Sequence, residues 1–357
     1  MHVTRLDLRN LRNLADVSLR PGPGLNLLLG PNGAGKTSVL EGLHLLAYGR
    51  SFRGRVRDGL IRTGQDAVEA FAEWRIEGDE GQHRAGLRHS GGGWEARLDG
   101  ESVDHLGQLC AALMVVTFEP GSHALVSGGG EPRRRFVDRG LFHVEQGFLP
   151  VWRRYSRALK QRNALLKSRA GTAQISAWDQ ELSASGEELT RRRVLYLERL
   201  QERLAPVATA LAPSLGLMSL EFEPGWRRSS LSLADALAVA RERDQMLGHT
   251  SVGPHRADWK LRLADKSEGE ALSRGQAKLA ALSCLFAQAA DCAAERADWP
   301  LIALDDLASE LDAEHRARVM DFLHGTPAQV FVTGTDRLEA SGEMAVFHVE
   351  QGCVEPA

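Results

Sequence analysis

Eight residues, Gly30-Pro31-Asn32-Gly33-Ala34-Gly35-Lys36-Thr37, fit the pattern G-x-x-x-x-G-K-[ST]. An apolar run, Leu25 to Leu29, precedes them, and a helical pattern begins at Ser38. Glycines at such a strand–loop–helix junction let the backbone wrap an anion with its N–H groups pointing inward. The positive end of the helix dipole adds to that field. Lys36 is spaced to reach β- and γ-phosphates and Thr37 to hold Mg²⁺. The chemistry indicated is binding of a nucleoside triphosphate.

A second apolar run ends in two carboxylates, Leu301-Ile302-Ala303-Leu304-Asp305-Asp306. A buried strand with that ending delivers acid to the carboxyl edge of an open α/β sheet, where ligands bind. Asp305 fits the Mg²⁺-side carboxylate of a P-loop NTPase, and Asp306 is placed to orient or polarise an attacking water. Leu272-Ser273-Arg274-Gly275-Gln276 opens a long stretch rich in Ala and Leu. Ser273-x-x-Gln276 has the form of a capping box, which by itself means a well-capped helix. The same exposed N–H groups, hydroxyl and dipole would also bind phosphate.

These residues need a scaffold. Leu25–Leu29, Met114–Phe118, Leu301–Leu304 and Val330–Thr333 read as strands buried on both faces. The P-loop and the later strands are expected to share one parallel sheet. Thr4–Leu8 and Val17–Arg20 alternate as strands do, with a turn at Pro21-Gly22-Pro23-Gly24. Val39, Leu40, Leu43, Leu46 and Ala47 fall on one helical face. Short alternating segments over 65–100 suggest antiparallel strands. From about Pro132 to Leu247 the pattern is mostly helical and rich in Arg. Gly171, Pro206 and Pro213 interrupt it, so it reads as a compact helical lobe rather than a long coiled coil. The expected organisation is an N-terminal part of the nucleotide-binding head (1–130), an inserted helical arm lobe (131–248) and a C-terminal part of the head (249–357).

The chain has 357 residues, 43% of them apolar, enough for a large core. No run of eighteen apolar residues is present, so no membrane span is expected. Cys110, Cys284, Cys292 and Cys353 lie far apart and form no C-x-x-C pair, which fits a reduced, cytoplasmic setting without a metal or disulfide framework. A net charge of −3 means that any nucleic-acid site must be a local basic patch.

The order of motifs resembles the ATPase heads of SMC-like, ABC-type proteins. Leu272 to Gln276 looks like their signature motif, and Ser309-Glu310-Leu311-Asp312 looks like their D-loop. Further stretches resemble the RecF family: Asn10 to Asn13, Gly35 to Glu41, Arg50-Ser51-Phe52-Arg53, Pro132 to Asp138, Lys160-Gln161-Arg162-Asn163 and Gly253-Pro254-His255-Arg256-Ala257-Asp258. Arg274 at the third signature position and Asp305-Asp306 in place of Asp-Glu belong to the same likeness. The fold implied is an α/β ABC/SMC-type ATPase head, a P-loop NTPase with a mixed sheet, carrying an inserted α-helical lobe.

The resemblance implies that two subunits sandwich two ATP molecules. Ser273, Arg274, Gly275 and Gln276 of one copy would meet the nucleotide held by Lys36 and Ser38 of the other. Ser309 and Asp312 would lie at that dimer interface, with Arg12 and Asn13 near the nucleotide. ATP would then stabilise a homodimer, by linkage. It also implies ATP-dependent DNA binding in recombinational repair, replication gap processing and SOS induction. The expected DNA is single-stranded, gapped or a single-strand/duplex junction, and the expected partners are the mediators RecO and RecR. Two departures bear on rate. No Gln follows Met114–Phe118, and Thr333-Gly334-Thr335 stands where ABC ATPases carry a switch histidine. With the shorter Asp306, these imply slow hydrolysis that acts as a timer, stimulated by DNA.

Basic residues cluster at Arg50, Arg53, Arg55 and Arg57, at Arg133-Arg134-Arg135, along Arg153 to Arg162, and at Arg191-Arg192-Arg193. In a strand Arg53, Arg55 and Arg57 would share a face, and the first cluster is the expected DNA surface because it is closest to the nucleotide and could be coupled to dimerisation. Contact with phosphates would be independent of sequence. A transporter's nucleotide-binding subunit shares the motifs, but the helical lobe between Lys36 and Ser273 argues against it.

Overall fold

The computed structural model describes residues 1–56, 58–79, 81–264, 272–335 and 344–357. In chain order the elements are β1 (His2–Leu11), β2 (Leu14–Leu19), β3 (Leu25–Leu29), α1 (Lys36–Tyr48), β4 (Val68–Arg75), β5 (His83–His89), β6 (Trp94–Leu98), β7 (Glu101–Ser102), α2 (Leu106–Ala112), β8 (Val115–Phe118), α3 (Ala124–Ser127), α4 (Gly130–Val144), α5 (Phe148–Lys167) and α6 (Thr172–Leu211). They continue with β9 (Met218–Glu223), α7 (Leu233–Leu247), β10 (Asp258–Leu263), α8 (Arg274–Arg296), β11 (Leu301–Leu304), α9 (Leu307–Glu310), α10 (Ala313–His324), β12 (Val330–Gly334), β13 (Met344–Glu350) and β14 (Cys353–Pro356). The chain divides into two compact units, one of 1–122, 210–212 and 273–357, the other of 123–209 and 213–272.

In the first unit, two six-stranded sheets enclose α1. One is antiparallel, β2-β1-β4-β5-β6-β7; the other runs β14-β13-β3-β12-β11-β8. Within the second, β13, β3, β12, β11 and β8 are parallel and only β14 is antiparallel. The sheet is therefore mixed, as expected, and the P-loop strand shares it with β11 and β12. Strands β3, β8, β11 and β12 are buried at every residue, which is why each reads as a largely apolar run, with Asn26, Thr117 and Thr333 the polar exceptions.

Helix α1 packs against β1, β4 and β5 of one sheet and β8 and β12 of the other. It is buried on nearly every side, Glu41, Gly42, His44 and Leu45 included. The single apolar face read from sequence is thus only half of its buried surface. Gly42 permits this depth, because a Cβ there would lie 2.3 Å from Leu8 Cδ2. Buried Gln329 ties the sheets together: its Oε1 accepts from Val3 N–H and its Nε2 donates to Val3 carbonyl. Among the described helices α8 alone is long and apolar enough to cross a bilayer, and 72% of its apolar window is buried in the protein. It is a core helix.

The second unit is largely helical, with one β-ribbon of β9 against β10. That ribbon groups residues up to 272 with the lobe, beyond the boundary at 248 expected from sequence. Pro206 does not interrupt α6, which runs 40 residues through it. Buried Leu200, Leu204, Val207, Ala208 and Leu211 hold the turns around the lost amide donor.

Three family-like motifs meet inside this unit. Arg133 forms a bidentate pair with Asp258 at 2.7 and 2.8 Å, and Trp259 Nε1 donates to Arg133 carbonyl. Fully buried Arg162 donates to Asp179 at 2.6 Å, and to Asp244 and Thr250 at 2.7 and 2.9 Å. Asn163 Oδ1 accepts from the Thr250 amide and hydroxyl. His255 lies between Tyr155 Oη, 2.7 Å from its Nδ1, and Thr250 carbonyl, 3.0 Å from its Nε2. A carbonyl can only accept, so Nε2 carries the proton and Nδ1 accepts from the tyrosine.

Burial is the main cause that pushes the His255 imidazole down to about 4; Arg256 and Arg134 add to it, against the Thr250 carbonyl. The unfolded chain takes up a proton near the ordinary 6.5 that the folded chain refuses. Stability is therefore full above that pH and falls between about 6.5 and about 4, by on the order of 3 kcal/mol. Urea midpoints measured across this window should drop for the parent chain and stay flatter for His255→Gln.

Candidate nucleotide site

The loop between β3 and α1 needs its glycines. A Cβ on Gly30 would lie 2.0 Å from Val349 carbonyl oxygen. Gly33 and Gly35 have φ of +80° and +120°, and a Cβ on Gly35 would meet Leu14 Cδ2 at 2.7 Å. Only glycine fits both demands at Gly35. Ala34 is buried beneath the loop. Lys36 reaches back along it, its Nζ donating to Gly30 and Pro31 carbonyls at 2.6 and 2.9 Å. Burial pushes the Lys36 ammonium below its usual range, and Asp306 and Asp305 pull it the other way.

Thr37 Oγ1 donates to Asp305 Oδ1 at 2.8 Å, and Thr333 Oγ1 donates to the same oxygen at 2.8 Å. The Thr333 hydroxyl in turn accepts from Asp306 N–H at 2.8 Å. Asp305 is buried, and burial raises its carboxyl above the ordinary range despite the two hydroxyls. Asp306 starts α9 in the left-handed region at φ 52°. That conformation costs a non-glycine residue on the order of 1 kcal/mol or more, and it occurs here at the turn carrying the second carboxylate.

Together with Arg12, Asn13, Asn32, Ser38, Phe52, Arg53, Glu119 and Pro120, these residues line one cleft of about 570 Å³. It opens where β3, β8, β11 and β12 present their carboxyl ends. Asn13 Nδ2 donates to Gly33 carbonyl, and its Oδ1 accepts from Ser38 Oγ. Arg12 holds buried Glu41 through Nε and Nη2, at 3.0 and 2.8 Å, and Asp58 carbonyl through Nη1. Its guanidinium is thus committed largely to the wall, where Ser51 also bonds Glu41.

The described part of the basic stripe, residues 50–56, does not form a strand. Residues 50–56 are irregular; Gly54 has φ 149° and Arg55 N–H donates to Asp58. Arg53 turns instead to the cleft, near enough to Asp305 to favour its charged form. Arg50 and Arg55 are exposed, and Arg57 lies outside the described residues.

Ser273 caps α8: its Oγ accepts from Gln276 N–H while Gln276 Oε1 accepts from Ser273 N–H. Ser273, Arg274 and Gly275 are exposed. None of the signature residues Ser273 to Gln276 is among those lining the cleft. Ser309 is exposed and bonds Asp306 carbonyl. Exposed Asp312 caps α10 through His315 N–H.

Glu41, Phe52, Glu119 and Thr333 are the site residues that sequence reasoning did not assign. Glu119 stands directly after β8 and accepts from Gly121 N–H at 2.6 Å. Thr333 was visible as the polar end of an apolar run, but its role needs β11 and β12 side by side.

The chain matches the RecF/RecN/SMC N terminal domain family over residues 2–354. It is 62% identical over 356 residues to the DNA replication and repair protein RecF of Stenotrophomonas maltophilia (strain R551-3), covering 98% of each chain. It is 38% identical over 360 residues to the protein of the same name from Shewanella denitrificans, covering 99% of each. Its fold is similar to a solved structure of the recombination mediator protein RecF-ATPrS in the RecFOR pathway, with a TM-score of 0.89 at 23% identity over 99% of this chain and 98% of that one. It is also similar to an Smc head domain from Pyrococcus furiosus, with a TM-score of 0.60 at 15% identity over 100% of this chain and 96% of that one.

Proposed function

We propose a function from one premise: the chain belongs to the RecF family of DNA replication and repair proteins. It binds ATP in the cleft of Lys36, Thr37, Asp305 and Asp306, and ATP joins two copies into a homodimer on DNA. The observation that carries this reading is the separation of the two half-sites. The P-loop and the paired aspartates line one cleft, while the capped signature at Ser273 stands exposed outside it. An exposed helix N-terminus with a free-standing cap suits a phosphate presented by another molecule.

The P-loop amides and Lys36 would hold the β- and γ-phosphates. Arg53, beside Asp305, faces the same triphosphate rather than DNA. Thr37 Oγ1 and Asp305 Oδ1, 2.8 Å apart, are hard oxygen donors of the kind that Mg²⁺ takes beside phosphates. When bound there, Mg²⁺ neutralises charge that develops on the phosphates. Among the described residues no group of three or more His, Cys, Asp or Glu side chains gathers as a cage. This suits an ion that rests chiefly on nucleotide and water. Asp306, whose backbone N–H donates a hydrogen bond to Thr333 Oγ1, is the residue for positioning water.

Hydrolysis is slow and stimulated by DNA, and it releases the dimer. Glu119 occupies the place of the usual Gln, and the Thr333 hydroxyl is engaged with both aspartates. Neither reproduces the neutral amide and imidazole that ABC ATPases aim at the γ-phosphate. The protein acts in the cytoplasm on single-stranded or gapped DNA without base-specific contacts, and with RecO and RecR it serves gap processing and SOS induction. Sedimentation tests this. Dimers should form with ATP and not with ADP, and should co-sediment with gapped DNA. A monomer under every condition would overturn the reading.

A further inference from the structure

The four basic clusters read from sequence are not equivalent in the fold. Arg133 and Arg134 are bound to Asp258 and Ala257 carbonyl, and Arg135 to Glu131. Arg191 and Arg192 pair with Glu188, Arg192 also with Glu145, and buried Arg193 with Asp138. The cluster on α5 differs. This helix carries six cations and no acidic residue. It buries Phe148, Tyr155, Ala158, Arg162 and Leu166 on one face. Arg162 is neutralised there by Asp179 and Asp244. On the opposite face Arg153, Arg157, Lys160, Ala164 and Lys167 follow one another at spacings of four and three, and all are exposed. Like charges at those spacings repel and destabilise a helix. Among the described residues Lys160 and Lys167 have no ion pair to offset this.

The row spans about 21 Å at about 1.5 Å per residue. In a duplex the phosphates of one strand recur about every 3.4 Å along the axis, so about six is the upper bound, and a more extended single strand presents fewer to the row. Beside the row, α5 and α6 form a groove of about 890 Å³ lined by Pro150, Arg153, Arg154, Arg157, Trp178 and Glu181. The one acid in it, Glu181, accepts from Nε and Nη2 of Arg154. A half-buried indole, Trp178, that lines the same groove as three guanidinium groups is a surface on which an unpaired base can stack.

We propose that the outer face of α5, with the Trp178 groove, binds single-stranded DNA, its cations on the phosphates and Trp178 under a base. This rests on the reading of the chain as a DNA-binding protein and locates the contact on the helical unit instead of the 50–57 segment. Duplex, whose bases are stacked away, gains only the phosphate contacts.

The test uses the full chain with ATP, a labelled oligo-dT and a blunt duplex of equal length, each titrated at several NaCl concentrations. Combined Arg157→Gln, Lys160→Gln and Lys167→Gln should flatten the slope of log K against log salt for oligo-dT by about two and weaken binding about tenfold or more. Arg157→Lys, Lys160→Arg and Lys167→Arg should keep the parent slope. Trp178→Ala should weaken oligo-dT binding about five-fold or more with the slope unchanged, and leave duplex binding as it was. Thermal midpoints identify any variant that fails to fold. If the parent binds and the Gln triple variant keeps its slope, the surface is wrong and the DNA-binding reading stands. If Trp178→Ala is silent, or weakens duplex equally, the single-strand assignment falls. If the parent binds neither DNA, both fall together.

Discussion

Replacing Lys36 with Met lowers the affinity for ATP by about two orders of magnitude, because a buried cation that bonds a charged partner is worth about 2–5 kcal/mol. Lys36 is 8% exposed, and its ammonium sits on two loop carbonyls, Gly30 and Pro31. Those carbonyls fix where the positive charge stands, in a loop where Gly30 and Gly35 leave no room for a Cβ. Met keeps the length and apolar stem but has no donor. The loop itself should survive, because Gly30, Gly33 and Gly35 set its path and Ala34 is anchored independently by Gly352 N–H. Titration calorimetry with ATP would measure the loss, and thermal denaturation without nucleotide would check the fold. Parent-like affinity in Lys36→Met would remove this lysine from the site.

Where the sequence was legible, it was because burial writes a local pattern. Strands β3 and β11 are apolar at nearly every position, and each ends at the residues that do chemistry. The capping box at Ser273 is likewise local, and its two reciprocal bonds form as the spacing requires. What stayed hidden depends on partners far along the chain. In the sequence Arg133, Arg162 and Arg193 are members of basic clusters with no visible partner; in the fold they pair with Asp258, Asp244 and Asp138, which lie 125, 82 and 55 positions away. Composition cannot distinguish a paired arginine from a solvated one. The 50–57 segment misleads in another way. Its alternating arginines imitate a strand, but Gly54 and the Asp58 turn bend it so that Arg53 enters the nucleotide cleft. The full burial of α1 was equally out of reach, since it needs a second sheet supplied by β1, β4 and β5.

A mixture of two inactive variants should recover activity, which separates a composite site from one completed within a single chain. Lys36→Met disables the P-loop and leaves the signature intact. Ser273→Arg places a large cation at the helix cap and leaves the P-loop intact. Alone, each variant can build only composite sites that contain one damaged half, and the mixture is made at an ATP concentration high enough to fill the weakened site. In a heterodimer the two lesions fall in the same site, the altered P-loop of one chain against the altered signature of the other. The second site then pairs an intact P-loop with an intact signature. Random pairing at equal amounts makes about half of the dimers mixed, each with one working site, so about a quarter of the parent hydrolysis rate should return. If the signature served the P-loop of its own chain, every chain in the mixture would carry a lesion and nothing would return. Exposure of Ser273 at the α8 N-terminus, apart from the cleft that holds Lys36, favours recovery. Because the cap bonds run between Ser273 and Gln276, the serine substitution also frays the first turn of α8, at a cost of about 1 kcal/mol. That loss is small against the burial of the rest of the helix, so a Ser273→Arg chain stays folded and able to supply the intact P-loop on which recovery depends.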